Sequence, residues 1–500
     1  MTARVESFEL GAMSSRAVAV RMAEILRATY PDSENEYGIG SGAGLRSVTG
    51  VPEHREAGTP SVFIDADGPG HGQAWSASGD SQASLDIHAG RLLVRVGAIK
   101  HRAAIGDVNS FIRMVPKQDR SELERHLMIH SLLACTDEEP RCASCPLISF
   151  CETGRKRVAS QHGNTTAVDL FGGAGALGLG FRWAGFSIVA AVEMDRHAAQ
   201  TYRLNHPGVP VLEAPVEKVT AEGLRSWLST LNAPSAVIAG PPCQGYSAAG
   251  SRDSDDRRNL LFRHVGRLAR QLGARSVVVE NVPGLRRVNG VTYTDKITAS
   301  LRRCGYRTWK QPVALRASDF GVPQNRQRLF FVGVKRGIDL PEPPRPTHWS
   351  FDGRIPESSL PKTPSLAECL EDLPRLEPGE GAERLRHPDG RVVLNSQAMA
   401  HSSRVVAKIN LIPLGGGPIS YRRLERGVAR TLVAGHRALP VHPDQDRTIT
   451  VREAARIQGF PDDYFFCGPR SVQPLQVANA VPPALAEAVG RQLMESLEAA

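Results

Sequence analysis

One of the chain's 8 cysteines, Cys243, lies in the segment GPPCQGYS, between two prolines and a glycine. A thiolate there is a candidate nucleophile, because the prolines restrict the loop and little entropy is lost in aiming the side chain. A free cysteine is also a common small apolar filler, and the segment alone admits both readings. Glu280 follows in VVVENV. Its carboxyl suits a general acid if desolvation raises its pKa, or a structural carboxylate that caps a helix or pairs an arginine. Arg326 and Arg328 stand two residues apart in QNRQR. In an extended segment they share a face and suit the clamping of one anionic or carbonyl group; the plainer alternative is a solvated basic edge strand.

These residues need elements to bring them together. AVDLF runs into GGAGALGLGF, a strand opening into a glycine-rich turn and a helix. That arrangement brings backbone N–H groups close to a ligand, although tight strand–helix packing uses such glycines too. Glu193, ending the next strand in AAVEMD, is placed for ribose hydroxyls. The ligand could be a dinucleotide or S-adenosylmethionine, and Phe171, Gly173 and Gly175 do not have the GxGxxG spacing of dinucleotide sites. TTAVDLF, SIVAAVE, SAVIAG and SVVVEN read as buried parallel strands, with helical RHAAQTYRLN and NLLFRHVGRLARQL between them. The alternation predicts a doubly wound α/β sheet, with GPPCQGYS and ENV at its carboxyl edge. QRLFFVGV adds a strand. Residues 335–440 are rich in proline and loops and predict a smaller inserted lobe, and residues 447–500 return to compact helix.

The N-terminal third differs. Residues 13–30 have helical apolar spacing, and 31–90 turn rich in Gly, Ser, Asp and Pro, as in a long, poorly ordered connection or irregular module. Helical patterning resumes over 91–134. Cys135, Cys142, Cys145 and Cys151 then fall within ACTDEEPRCASCPLISFC, a density that indicates a metal site, for which zinc is the commoner generic occupant. A net charge of +9 favours a polyanionic partner. No run of about 18 apolar residues predicts a membrane span, and the first residues lack a secretory pattern, so the cysteines are expected to be cytosolic.

DLFGGAGALGLGF, VEMD, GPPCQGYSAAG, RRNLLF, VVVENVPGL, SDFGVPQNRQRLFFVG, RTITVREAARIQGFPDDYF and QVANAVPP occur in this order. Together they resemble the motifs of cytosine carbon-5 DNA methyltransferases, over roughly residues 165–500. The resemblance implies an S-adenosylmethionine-dependent, Rossmann-like methyltransferase domain with a small target-recognition lobe. It implies Cys243 as the nucleophile that adds to carbon 6 of cytosine. Glu280 would hold the amino group and protonate ring nitrogen 3, and Arg326 and Arg328 would steady the base. Asp169, Phe171, Gly173, Gly175, Glu193, Met194, Pro242 and Asn479 would form the S-adenosylmethionine site, with Arg258 and Asn259 in a mobile segment after the cysteine loop. Carbon 5 is a poor nucleophile until a thiolate adds at carbon 6, and a base in a duplex must be flipped out to be reached.

Three positions depart from the family pattern. A doubled glycine is Gly175–Ala176 here, the glycine before the closing asparagine is Ala478, and the acid expected to contact adenine is either Glu213 or Glu217. RRLERGVARTLVAGHRALPVHP, with its arginines and His436, looks like the last part of the target-recognition lobe, and a solvated basic face fits it equally. A tRNA methyltransferase of the same fold would carry a Cys-Phe-Thr signature that is missing. A non-catalytic DNA-binding regulator would have no use for both Cys243 and Glu280.

The cysteine spacing, after HLMIHSLLAC, is similar to the 4Fe–4S loop of endonuclease III-type helix–hairpin–helix DNA glycosylases, over about 105–155. That implies a structural 4Fe–4S cluster, with zinc as the alternative. Glycosylase activity does not follow, since Lys100 has no convincing hairpin before it. The expected organisation is therefore an N-terminal helix and poorly ordered region (1–90), a mainly helical cysteine-cluster module (91–158), a catalytic domain (165–334), a target-recognition lobe (335–445) and the rest of the catalytic domain (446–500). The expected partners are double-stranded DNA and a cognate restriction endonuclease or defence-system proteins. No membrane association is expected. A monomer in the cytoplasm, associated with the nucleoid, completes the reading.

Overall fold

The computed structural model describes residues 105–133, 165–227, 233–242, 260–286, 293–350, 359–387, 391–418, 421–433 and 439–500. It also describes positions 19, 20, 22–24, 26, 92, 93, 95, 96, 135, 142, 145, 147, 151, 153 and 154. The whole of the 31–90 region lies outside these residues, as do Lys100, Cys243, Arg258, Asn259 and His436. The chain divides into two compact units, Met1–Gln161 with Pro207–Val209, and His162–His206 with Pro210–Ala500. Among the described residues no helix is long and apolar enough to cross a membrane.

In the first unit the described positions around 19–26 and 92–96 are helical, followed by α1 (Ile105–Ile112) and α2 (Arg120–Leu133). Ala19, Met22 and Leu26 recur at the three- and four-residue spacing of one helix face and are fully buried. They share one core with Leu92, Phe111, Leu127 and Leu147, against which Cys135 and Cys151 also pack. The helix before residue 30 and the cysteine segment therefore belong to one packed body, across the expected boundary at residue 90.

The second unit is built on a sheet of parallel strands β1 (Thr166–Leu170), β2 (Ser187–Val192), β3 (Val211–Leu212), β4 (Ala236–Ala239) and β5 (Ser276–Asn281), in the order β3-β2-β1-β4-β5. The four apolar runs read as parallel strands pair as expected. Their Val and Ile side chains are almost completely buried, the pattern of strands covered on both faces. Full burial of each such side chain contributes about 1.5–3 kcal/mol.

Helices α3 (Ala176–Trp183), α4 (Arg196–Asn205), α5 (Ala221–Trp227) and α6 (Phe262–Leu272) alternate with these strands, and α7 (Tyr293–Arg303) follows β5. Then the chain reverses. Strands β6 (Arg307–Thr308), β7 (Val313–Arg316), β8 (Gln324–Asn325) and β9 (Gln327–Val334) follow, and β9 pairs antiparallel with β5. β6 and β7 pair antiparallel with the two ends of β9. Because β9 runs backwards, its first residues lie at the carboxyl end of β5, with Asn281 opposite Leu329. The arginine segment thus reaches the same sheet edge as Glu280.

The lobe contains α8 (Leu366–Leu370), the antiparallel pair β10 (Gly381–Arg386) and β11 (Val392–Gln397), and α9 (Ser403–Asn410). It returns through β12 (Ala429–Arg430), which pairs with β8. Helix α10 (Val451–Ile457) anchors this return. Thr450 and Glu453 form a reciprocal capping box at its start. Fully buried Arg447 donates to both Glu453 oxygens at 2.8 and 2.7 Å and to the Leu376 carbonyl at 2.8 Å. Helices α11 (Gln473–Asn479) and α12 (Pro483–Glu498) close the catalytic domain, with α12 packed on α3.

Candidate active site

Strand order reverses between β1 and β4, so the loops leaving these two strands diverge and open a crevice at the carboxyl edge. The loop after β1 is the glycine turn. Phe171, Gly173 and Gly175 all have positive φ (56°, 54° and 94°), a conformation rare for a non-glycine residue such as Phe171. A Cβ on Gly173 would meet nothing within 4 Å, so the turn has open space in front of it. A Cβ on Gly175 would lie 2.4 Å from His206 Nε2. Ala176 begins α3 without positive φ, so the alanine that replaces a family glycine there meets no backbone conflict.

Glu193 closes this loop from the neighbouring strand. One carboxylate oxygen accepts the Gly173 N–H at 2.8 Å and the other the Asp195 N–H at 2.7 Å. The Met194 N–H also bonds this carboxylate, which leaves lone-pair capacity for one hydroxyl donor. Burial pushes the Glu193 carboxyl above the ordinary carboxylate range, against these N–H donors. Met194 beside it is 70% exposed. An open glycine turn, an acid at the end of β2 and an exposed apolar side chain fit a nucleoside-bearing cofactor.

A buried polar layer supports the turn. Asp169 is fully buried; its Oδ2 accepts from the Tyr202 hydroxyl at 3.0 Å, while Oδ1 has no partner. Burial pushes this carboxyl up to about 7, with Tyr202 pulling it down and the Glu193 charge adding to the rise. The Tyr202 ring stacks on His206, with centroids 4.3 Å apart. His206 Nε2 lies 3.2 Å from the Tyr464 hydroxyl, which donates to the Ala174 carbonyl inside the turn. Burial, then Arg182, lowers His206 to about 3, so its imidazole is neutral.

The loop after β4 begins Gly240-Pro241-Pro242, and Cys243 itself lies outside the described residues. Asn281 Nδ2 donates to the Pro241 carbonyl at 3.3 Å, tying this loop to the end of β5. A Cβ on Gly240 would come within 3.3 Å of Glu280 Oε2, so the loop passes directly beside that carboxyl. Arg328 Nε meets Glu280 Oε1 at 2.7 Å with both side chains largely buried. Burial raises the Glu280 pKa, opposed by the charges of Arg328 and Arg326. Arg326 is buried too; it donates to the Leu432 carbonyl at 3.1 Å and to the Ala478 carbonyl. The pair is no solvated edge. Arg328 holds the carboxyl, and Arg326 joins the strand to the lobe's return and to α11.

A model of the family described as C-5 cytosine-specific DNA methylase matches residues 165–495. The chain belongs to this family. It is a DNA cytosine-5 methyltransferase that uses S-adenosylmethionine as methyl donor. It is 33% identical over 347 residues to the type II methyltransferase M1.HphI of Haemophilus parahaemolyticus, covering 66% of this chain and 87% of that one. It is 32% identical over 379 residues to the type II methyltransferase M.DdeI of Desulfomicrobium norvegicum, covering 65% and 88%. A crystal structure described as a prophage-encoded DNA modification methyltransferase of Escherichia coli superposes with a TM-score of 0.56 at 28% identity. It covers 67% of this chain and 99% of that one.

In this methyltransferase the remaining expected residues fall as follows. Pro242 is half-buried at the start of the cysteine loop, and Asn479 is exposed at the end of α11. Ala478, where the family has glycine, is helical and gives its carbonyl to Arg326. Glu213 is bound by Arg203, and Glu217 is exposed on a short 3-10 turn. Tyr202, His206 and Tyr464 escaped the sequence reading because their spacing carries no motif. The capping box of α10 was missed as well, although T-x-x-E in TVRE is its sequence signature.

In the N-terminal unit, burial and the charges of Cys151, Cys135 and Cys142 push the Cys145 thiol up, which places the four within electrostatic reach of one another. Hydrogen-bonding groups surround the sulfurs. Arg95 lies 3.5 Å from Cys135 Sγ, the Gly154 N–H 3.1 Å from Cys151 Sγ, and His130 Nε2 3.3 Å from Cys145 Sγ. Among the described residues, no group of three or more His, Cys, Asp or Glu side chains is arranged to hold a metal ion.

Proposed function

We propose that this methyltransferase modifies a cytosine flipped out of a specific duplex DNA sequence, through a covalent adduct on Cys243. The observation that carries the reading is Glu280: a carboxyl of raised pKa, held by Arg328 and lying directly beside the loop that leads into Cys243. In this reading Cys243 adds as thiolate to carbon 6 while the Glu280 carboxyl gives its proton to ring nitrogen 3. The new electron-rich double bond makes carbon 5 nucleophilic. S-adenosylmethionine supplies an electrophilic methyl group to that carbon. A base then removes the carbon-5 proton, the thiolate departs, and nitrogen 3 returns its proton to Glu280. Arg328 keeps the carboxyl oriented, and Arg326 anchors the start of the strand that carries Arg328.

Phe171, Gly173, Gly175, Glu193, Met194, Pro242 and Asn479 form the cofactor site in this reading, and Asp169, expected among them, is fully buried beneath the turn and supports it from below. The crevice between the two loops, the open face of Gly173 and the remaining acceptor capacity of Glu193 support it. The lobe within 335–445 reads the sequence. The type II relatives support a role in restriction–modification. The same reading takes the protein as a monomer that acts on double-stranded DNA in the cytoplasm, beside a cognate endonuclease.

Sequencing after bisulfite treatment of DNA from cells expressing the protein tests this. New 5-methylcytosine in one short context, lost in Cys243→Ala, is expected. Labelling of tRNA in preference to duplex DNA, or methylation that survives Cys243→Ala, would defeat it.

The four N-terminal cysteines hold a 4Fe–4S cluster in the same proposal, with zinc as the alternative occupant. The N–H donors beside Cys135 and Cys151 support this, because such groups stabilise thiolates and cluster sulfurs. Brown protein with stoichiometric iron and sulfide is expected. Colourless protein with one zinc per chain would select the alternative, and metal-free protein would remove both.

A further inference from the structure

We infer that Tyr464 is a positioning residue for the cofactor turn, holding Gly173–Gly175 in the conformation that binds S-adenosylmethionine. The inference rests on the reading of that turn as part of the cofactor site. Ala174 is buried, so its carbonyl needs a donor from the protein. The Tyr464 hydroxyl is that donor, from 290 positions further along the chain. A carbonyl only accepts, so the tyrosine proton is committed to it. The Tyr464 oxygen then accepts from His206 Nε2, which fixes the imidazole tautomer. Any side chain at Gly175 would collide with both partners: a Cβ there would lie 2.4 Å from His206 Nε2 and 2.6 Å from the Tyr464 oxygen. The contact and the left-handed turn therefore need the same glycine.

Tyr464 is itself a fixed post. Arg452 is fully buried and donates to the carbonyls of Tyr464 and Pro461. Asn205 on α4 bonds both the N–H and the carbonyl of Phe465, at 2.9 and 2.8 Å. Asn395 on β11, one of two non-glycine residues with positive φ among those described, does the same for Phe466, at 2.8 and 3.0 Å. Three successive backbone units are thus pinned by side chains from the catalytic domain and from the lobe's hairpin. The turn is held by the segment that follows the target-recognition lobe.

The test is calorimetric titration of the full-length protein with S-adenosylhomocysteine, alongside methyl-transfer kinetics. Tyr464→Phe keeps the ring and removes the donor. It should raise Kd for S-adenosylhomocysteine and KM for S-adenosylmethionine about tenfold, with kcat changed by no more than about twofold. Tyr306→Phe is the control: the Tyr306 hydroxyl makes the same kind of buried bond, 3.0 Å to the Ala274 carbonyl, away from the turn. It should lower stability without changing Kd.

Equal weakening in both variants would refute positioning in favour of general loosening. Weakened binding in Glu193→Gln with none in Tyr464→Phe would refute the inference and leave the turn as the cofactor site. Unchanged binding in both of those variants would overturn the cofactor site as well. Should Tyr464→Phe fail to fold, His206→Gln is read by the same criteria, with a rise of about threefold expected.

Discussion

Glu280 and Arg328 form a largely buried pair at 2.7 Å, and their roles in folding and in chemistry are separable by a double-mutant cycle. Removing one member leaves the other charge buried. Breaking a buried pair in this way costs about 3–5 kcal/mol, whereas replacing both members by uncharged residues of similar volume is often neutral. Arg326 contributes a second positive charge, so Glu280→Gln leaves two buried guanidiniums without their counter-charge, though each still donates to a backbone carbonyl. Those carbonyls offset part of the loss, and about 2–4 kcal/mol is expected for Glu280→Gln. Arg328→Met, which leaves the carboxyl facing Arg326 alone, should lose a similar amount. The double variant should be more stable than the sum of the single losses predicts, by about 2–3 kcal/mol of coupling.

Urea unfolding at neutral pH reads the stabilities, and single-turnover methyl transfer to a duplex reads the chemistry. If Glu280 supplies the proton to ring nitrogen 3, every variant lacking it should be slower by about 100-fold or more, including the double variant with restored stability. Additive stability losses would refute the coupling. A double variant that regained methyl transfer together with its stability would refute the proton-donor role and leave Glu280 a structural carboxylate.

Asp169 offers a pH test. Its folded pKa is raised, from 3.8 to about 7, so the folded protein binds the proton more tightly than the unfolded chain. The resulting stability is fully present below about pH 4 and is lost as pH rises through about 7. Asp169→Asn removes this dependence, so its stability relative to wild type should climb over that window, by up to about 4 kcal/mol; parallel pH curves would refute the burial argument. Gly175→Ala combines a φ of 94° with a Cβ only 2.4 Å from His206 Nε2, and should cost about 2–3 kcal/mol. Gly173→Ala has open space and should cost only its backbone strain, about 1 kcal/mol, so thermal unfolding in the reverse order would contradict the geometry. Arg447→Ala strands the buried Glu453 carboxylate and should cost about 3–5 kcal/mol; a loss below about 1 kcal/mol would show that the return of the lobe does not depend on this pair.

The parallel strands were legible because burial on both faces demands unbroken apolar runs, and SAVIAG and SVVVEN are such runs. The positive-φ turn was legible in GGAGALG, since few residues other than glycine tolerate it. The polar layer under that turn was not. Tyr202, His206 and Tyr464 come from α4 and from a segment beyond the lobe, and a tyrosine hydroxyl donating to a distant carbonyl leaves no local pattern. The fate of the arginine pair was equally hidden: an i, i+2 pair can face solvent or interior, and only the antiparallel course of β9 against β5 turns Arg328 onto Glu280. The proposed boundary at residue 90 marked a change in composition, while the core shared by Met22, Leu92 and Leu127 crosses it.

The sequence by itself determined the chemistry on offer: a thiol in a proline loop, a carboxyl ending a strand, a glycine turn, and the ordered motifs that name the family. Those depend on residue type and local spacing, which the chain carries directly. Tertiary structure alone decided which groups share an environment. The reversal of strand order at β1 and β4 opens the crevice, and the reversed course of β9 brings a guanidinium to the Glu280 carboxyl. The raised pKa of Glu280 arises from desolvation, which is a property of the packed surroundings and not of any neighbour in the chain.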